Sequence, residues 1–261
     1  WGMDEYIASC LEAMEAVSRI TGSKKVNVSA GCSGGQTASV MASKLAAEKS
    51  DLLGTLTLMV CVLHPKQLDI EAGSLISENG MKLARKRAEK KGVINADAIN
   101  LAASLMGDFL TLFETLAFTK KGEVEMAGHK IDLSKVTSDL FILGGVTDHI
   151  TPWKATYRST QLFGSKDITY VLSQSGHMQA ILNPPGNPKA RYYVQKKKGA
   201  LPATADEWLA GTEEMAGSWW PFWMEWVQHR SGKRKAAPTQ LGNAAYKPLD
   251  PAPGLYVVEE R

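Results

Sequence analysis

Val26-Asn27-Val28-Ser29-Ala30-Gly31-Cys32-Ser33-Gly34-Gly35 is the stretch on which the fold turns. Val26-Asn27-Val28 alternates apolar and polar side chains, the two-residue period of a short strand. Ser29 to Gly35 is too rich in glycine for regular structure, and Thr37 to Ala47 is small and apolar, as in a buried helix. One cysteine therefore sits at a sharp passage from strand to helix. Small neighbours let the two elements approach and leave a nucleophile exposed at the end of a sheet. The usual spacing of such an elbow is Gly-x-nucleophile-x-Gly; Ala30 stands in the first glycine's place. The helix that follows aims free N–H groups at the sulfur, which favours negative charge there. The competing reading is a buried structural cysteine, the common fate of a free thiol. That role is assigned to Cys10 and Cys61, which lie in apolar, periodic stretches.

Upstream, Ile7, Leu11, Met14, Val17 and Ile20 recur at helical spacing, and Gly22-Ser23 ends that helix. Downstream, Leu53 to Leu63 is a nearly continuous apolar run, suited to a strand covered on both faces of a parallel sheet. Charged helical segments are predicted at about 79–91 and 95–106, and Phe109, Leu110, Leu112, Phe113 and Leu116 mark another helix. Leu140-Phe141-Ile142-Leu143 and Ile168 to Leu172 are further buried strands, with a helix opened by Pro152 between them. Asn183-Pro184-Pro185-Gly186-Asn187-Pro188 is irregular, and Thr204-Ala205-Asp206-Glu207 has the capping-box pattern of a helix start. Trp219, Trp220, Trp223 and Trp226 cluster around Pro221 and are expected to pack on the core. The tail from about 235 to 261, with Pro238, Pro248, Pro251 and Pro253, is expected to be extended. Strands alternating with helices predict an α/β chain: a mostly parallel sheet with helices on both faces, in one domain over 1–261.

Composition narrows the function. A formal charge of +3 is too small to argue for nucleic acid. Arg85-Lys86-Arg87, Lys196-Lys197-Lys198 and Lys233-Arg234-Lys235 read as solvated faces, or as a weak rim for an anionic substrate. No run of about 18 apolar residues occurs, which argues against a transmembrane helix. Trp1-Gly2-Met3-Asp4-Glu5 lacks the basic-then-apolar order of a signal peptide, and an upstream part is expected. Three cysteines in 261 residues fit a reducing, cytoplasmic compartment rather than a disulfide scaffold. Neither the cysteines nor the five histidines have zinc-site spacing, so no metal and no cofactor is expected.

An elbow nucleophile needs a base and an acid, each in a loop just past a strand, in the chain order nucleophile, acid, histidine. Asp148 follows the strand at Leu143 through Gly144-Gly145-Val146-Thr147, and His177 follows the strand at Leu172 through Ser173-Gln174-Ser175-Gly176. His177 would take the Cys32 proton, and Asp148 would orient the imidazole. The Ser33 N–H would supply half of an oxyanion hole. The alternative for Asp148 is a cap on the helix opened by Pro152.

Ala30-Gly31-Cys32-Ser33-Gly34-Gly35, Thr147-Asp148-His149-Ile150-Thr151-Pro152-Trp153 and Ser175-Gly176-His177 with the Asn183–Pro188 loop resemble polyhydroxyalkanoate synthases. Ser218-Trp219-Trp220 and Pro253-Gly254-Leu255-Tyr256-Val257 are similar to that family too. The resemblance implies an α/β-hydrolase fold and an acyltransferase that polymerises (R)-3-hydroxyacyl-CoA and releases CoA. It implies catalysis by Cys32, Asp148 and His177, and a place at the surface of cytoplasmic polyester granules. The growing polyester would be a second partner, and a homodimer is compatible with the family. His149 falls on a second family histidine, which contacts the CoA arm or assists the thiolate; its plain alternative is loop packing.

Three departures accompany the resemblance. Members carry a long portion before the position of Trp1. They also carry a mobile cap segment between the positions of Met106 and Gly107, leaving here a reduced cap remnant at about 64–120. His64 stands where members have Asp. A shortened cap admits water, so a cysteine thioesterase or esterase on the same fold is the first alternative. A catalytically decayed granule subunit is the second.

Overall fold

A computed structural model describes residues 1–65, 105–196 and 199–258. The helices expected at 79–91 and over most of 95–106, the Arg85–Arg87 run and most of the expected cap remnant lie outside those residues.

Six strands form the main sheet in the order β1-β2-β5-β6-β7-β8. They are β1 Val26–Gly31, β2 Leu53–Met59, β5 Asp139–Gly145, β6 Ile168–Ser173, β7 Arg191–Gln195 and β8 Thr212–Ala216. Strands β1, β2, β5 and β6 run parallel, and β7 and β8 are antiparallel additions at one edge. A two-residue hairpin, β3 Glu125–Met126 with β4 His129–Lys130, stands apart.

Side chains alternate across a strand, so each central strand feeds two cores. Leu140 and Ile142 of β5 join a cluster with Met3, Ile7 and Met14 of α1 (Met3–Thr21) and with Val40, Met41 and Leu45 of α2 (Ser33–Ala47). Phe141 and Leu143 face the other way, onto Trp219 and onto Trp226 of α7 (Trp220–Arg230). Burying each such side chain stabilises by about 1.5–3 kcal/mol. Helices thus cover both faces of a mostly parallel sheet, the expected α/β-hydrolase arrangement. The remaining helices are α3 Leu105–Glu114, α4 Trp153–Ser159, α5 His177–Leu182 and α6 Ala205–Ala210. Thr204 and Glu207 close the expected capping box ahead of α6.

Several expectations are corrected. Ser29-Ala30-Gly31 is strand rather than loop, in register with Thr57, Leu58 and Met59, and helix α2 already begins at Ser33. Only Cys32 lies outside regular structure there. The apolar run does not stay a strand to Leu63: β2 ends at Met59, and Val60 turns at φ 45°. Cys61 is buried as expected, but Cys10 is exposed, although its spacing from Ile7 and Met14 sets it on the face that α1 presents to the core. Val17 and Ile20 are also exposed. The 235–258 stretch is exposed and mostly irregular, with Lys235 donating to the Thr21 carbonyl and Asn243 to that of Arg19.

Candidate active site

Parallel strands bring their C-terminal ends to one rim, and that rim carries the candidate residues. Cys32 follows β1, Asp148 follows β5 and His177 follows β6. Cys32 adopts φ 51°, ψ −127°, a conformation unfavourable for a residue with a Cβ. It is held there from both sides. Its N–H donates to the Met59 carbonyl at 2.9 Å, and its carbonyl accepts from the Gly35 N–H at 3.0 Å. The thiol is partly exposed. Ser33 is the first residue of α2, so its N–H belongs to the group that a helix leaves without an internal acceptor.

His177 opens helix α5 with its side chain 12% exposed, and donates from Nδ1 to Asp148 Oδ2 at 2.8 Å. Asp148 is not a cap on α4: Pro152 occupies that position without a side-chain bond. The carboxylate instead closes its own turn, Oδ1 accepting from the N–H groups of Ile150 and Thr151, both at 2.9 Å. Oδ2 accepts a third bond from Thr151 Oγ1 at 2.6 Å. With His177 this makes four donors around a side chain that is fully buried. Helix α5 packs over the neighbour of Cys32, since a Cβ on Gly31 would lie 3.6 Å from Ile181 Cδ1. Among the described residues the Cys32 thiol and His177 Nε2 make no hydrogen bond. Such bonds are often long in a free enzyme and tighten once substrate is bound.

His149 stands exposed beside Asp148 and is not packed into the loop. His64 is partly buried, and its carbonyl accepts from Arg158. Cys61 lies close to the elbow, and burial pushes its thiol well above the ordinary range, with Cys32 adding to the effect.

Two features escape sequence reasoning. Thr151 bonds both members of the Asp148–His177 pair, its Oγ1 also lying 3.2 Å from His177 Nδ1. The only advance signal is a hydroxyl three residues after the acid. The second is the Ser218-Trp219-Trp220 segment. Trp219 Nε1 donates to the Ala180 carbonyl at 2.7 Å, Trp220 Nε1 to that of Ile181 at 3.0 Å, and Ser218 Oγ to that of Asn183 at 2.5 Å. Three consecutive residues thereby satisfy carbonyls that the end of the helix bearing His177 leaves open. The tryptophans do pack on the core, as expected, and they also terminate α5.

No known family model matches the chain. Among curated proteins, poly(3-hydroxyalkanoate) polymerase 1 of Ectopseudomonas oleovorans is 35% identical over 299 residues, covering 99% of this chain and 53% of the relative. Poly(3-hydroxyalkanoate) polymerase subunit PhaC of Cupriavidus necator is 40% identical over 136 residues, covering 52% of this chain and 22% of the relative. The chain spans about half the length of the polymerase it matches end to end. The alignment of 299 positions exceeds the 261 residues present by 299 − 261 = 38, so that relative carries segments with no counterpart here. Solved structures resemble it only distantly. The monoacylglycerol lipase of Paleococcus ferrophilus is 15% identical, with 68% and 67% of the two chains covered and a TM-score of 0.39. An α/β-fold hydrolase of Bacillus anthracis is 16% identical, with 69% of each chain covered and a TM-score of 0.37.

Proposed function

We propose that this chain, which belongs to the poly(3-hydroxyalkanoate) polymerase family, carries the acyl-transfer chemistry of a polyester synthase on Cys32, His177 and Asp148. The observation that carries the reading is the strained cysteine at the start of α2, on the same rim as a histidine already bonded to a buried carboxylate. His177 Nε2 takes the thiol proton as sulfur attacks the thioester carbon of a 3-hydroxyacyl-CoA. The Ser33 N–H steadies the oxyanion. The C–S bond to CoA breaks, the imidazolium returns its proton to the departing thiolate, and an acyl-cysteine remains. His177 then removes the proton of a second unit's 3-hydroxyl. The alkoxide attacks the acyl-cysteine carbon, the C–S bond to Cys32 breaks, and the imidazolium returns its proton to the Cys32 thiolate; a thioester is exchanged for a more stable oxoester, which draws the sequence forward. His149, exposed next to the acid, would meet the anionic CoA arm. The growing polyester and the granule surface follow as partners, in a cytoplasmic setting.

The test is CoA release from 3-hydroxybutyryl-CoA and 3-hydroxydecanoyl-CoA, with product analysis. Polymer formation that is abolished in Cys32→Ala is the expected result. Thiol-dependent release of free hydroxy acid would instead identify a thioesterase. Turnover untouched by Cys32→Ala would end the reading.

A further inference from the structure

The Asp148 carboxylate is satisfied by four donors, and only two of them are needed to shape a turn. The N–H groups of Ile150 and Thr151 both go to Oδ1 and fix the loop. Oδ2, the oxygen that faces His177, is therefore limited to the small rocking that those two bonds allow, and Thr151 Oγ1 restrains it further, donating to it at 2.6 Å beside the 2.8 Å bond from His177. The same hydroxyl oxygen lies 3.2 Å from His177 Nδ1, with its own proton already committed to the carboxylate. Toward Nδ1 it therefore offers only a lone pair. An imidazole bearing its proton on Nδ1 is accepted by both Oδ2 and Oγ1, whereas one with a bare Nδ1 meets two acceptors. Thr151 is buried, so no solvent competes for these positions.

We infer that Thr151 is a positioning residue for the acid–base pair. Its hydroxyl locks Oδ2 in place and selects the Nδ1-protonated form of His177, which leaves the Nε2 lone pair to act on Cys32. This rests on the acyl-transfer reading above, and the role belongs to the hydroxyl rather than to the methyl group.

The experiment separates the two halves of the side chain. Thr151→Val keeps the shape and loses the donor, and Thr151→Ser keeps the donor and loses the methyl. Iodoacetamide alkylation of Cys32 is followed on the full chain by mass analysis of the Cys32 peptide, from pH 6.5 to 10, beside His177→Ala. At pH 7 Thr151→Val is expected to slow alkylation roughly tenfold, the scale of a misoriented catalytic base. Thr151→Ser should stay within about twofold. Near pH 10, above the ordinary thiol range, a base is not needed, and all variants should converge. A merely structural loss would not heal with pH, and would fall on Ser as heavily as on Val. Equal slowing by Ser and Val, or none by Val while His177→Ala is slow, overturns the assignment of Thr151 alone. If the Thr151→Val chain fails to fold, Thr151→Ala takes its place: near-normal alkylation by Ala, or slowing of Ser beyond about twofold, overturns the assignment, and slowing by Ala alone upholds it. An unaffected His177→Ala overturns the acid–base reading itself, and this inference with it.

Discussion

Gly35, in the first turn of the elbow helix, faces Cys61 so closely that a methyl group on it would lie 2.6 Å from the Cys61 sulfur and 2.7 Å from its Cβ. The elbow and the turn after β2 therefore share one space, and the thiol filling it is not a second nucleophile, since burial keeps it protonated. Gly35→Ala is expected to destabilise the chain by about 1–3 kcal/mol despite alanine's better helix propensity. Cys61→Gly in the same chain should recover most of that loss, and Cys61→Ala less, because the Cβ contact persists. Urea midpoints of the single and double variants measure this, and simple additivity would contradict the shared-space account.

Gly145 separates the loops that carry Asp148 and His177. A Cβ there would meet the Ser175 carbonyl oxygen at 2.5 Å, with Ala180 Cβ at 3.2 Å and Asp148 Cβ at 3.3 Å. Gly145→Ala must push the loop of His177 away from that of Asp148. CoA release is expected to fall by roughly a hundredfold, the scale of a displacement near 1 Å. Activity close to that of the parent chain would show that the loops adjust independently.

His129 sets an acid limit on stability. Burial lowers its pKa below the ordinary 6.5, so the unfolded chain takes up the proton first as pH falls. The sign is a loss of stability below about pH 6.5, with none above it. Melting temperatures between pH 7.5 and 5 should drop less for His129→Asn than for the parent chain. Parallel curves would place the acid sensitivity elsewhere.

The strands carrying the site were legible because β5 and β6 read as continuous apolar runs, the mark of strands covered on both faces. The candidate residues Asp148 and His177 were placed just past those strand ends, and Cys32 past the shorter alternating Val26–Val28. The two antiparallel strands β7 and β8 were not legible. Thr212–Ala216 is Thr-Glu-Glu-Met-Ala, and charged side chains suit an exposed edge but spell no strand by pattern. Thr151 could not be singled out, since a hydroxyl three residues past an aspartate occurs in many turns with no further role. Nor could the exposure of Cys10, because helical periodicity gives a stripe without saying which neighbours flank it. The cap on α5 was hidden for another reason: Trp219 and His177 stand 42 residues apart by their numbers, and only the folded chain makes them neighbours in function.

Those indoles also give the site an optical signature. Trp219 and Trp220 stack with ring centroids 4.5 Å apart and planes 22° from parallel, close enough for their transitions to couple. The coupled signal in circular dichroism belongs to a cluster of Trp219, Trp220 and Trp223, and the N–H groups of its first two members hold the last turn of the histidine's helix. A ligand that lifts that helix would thus change the colour of the protein's chirality before any product is made.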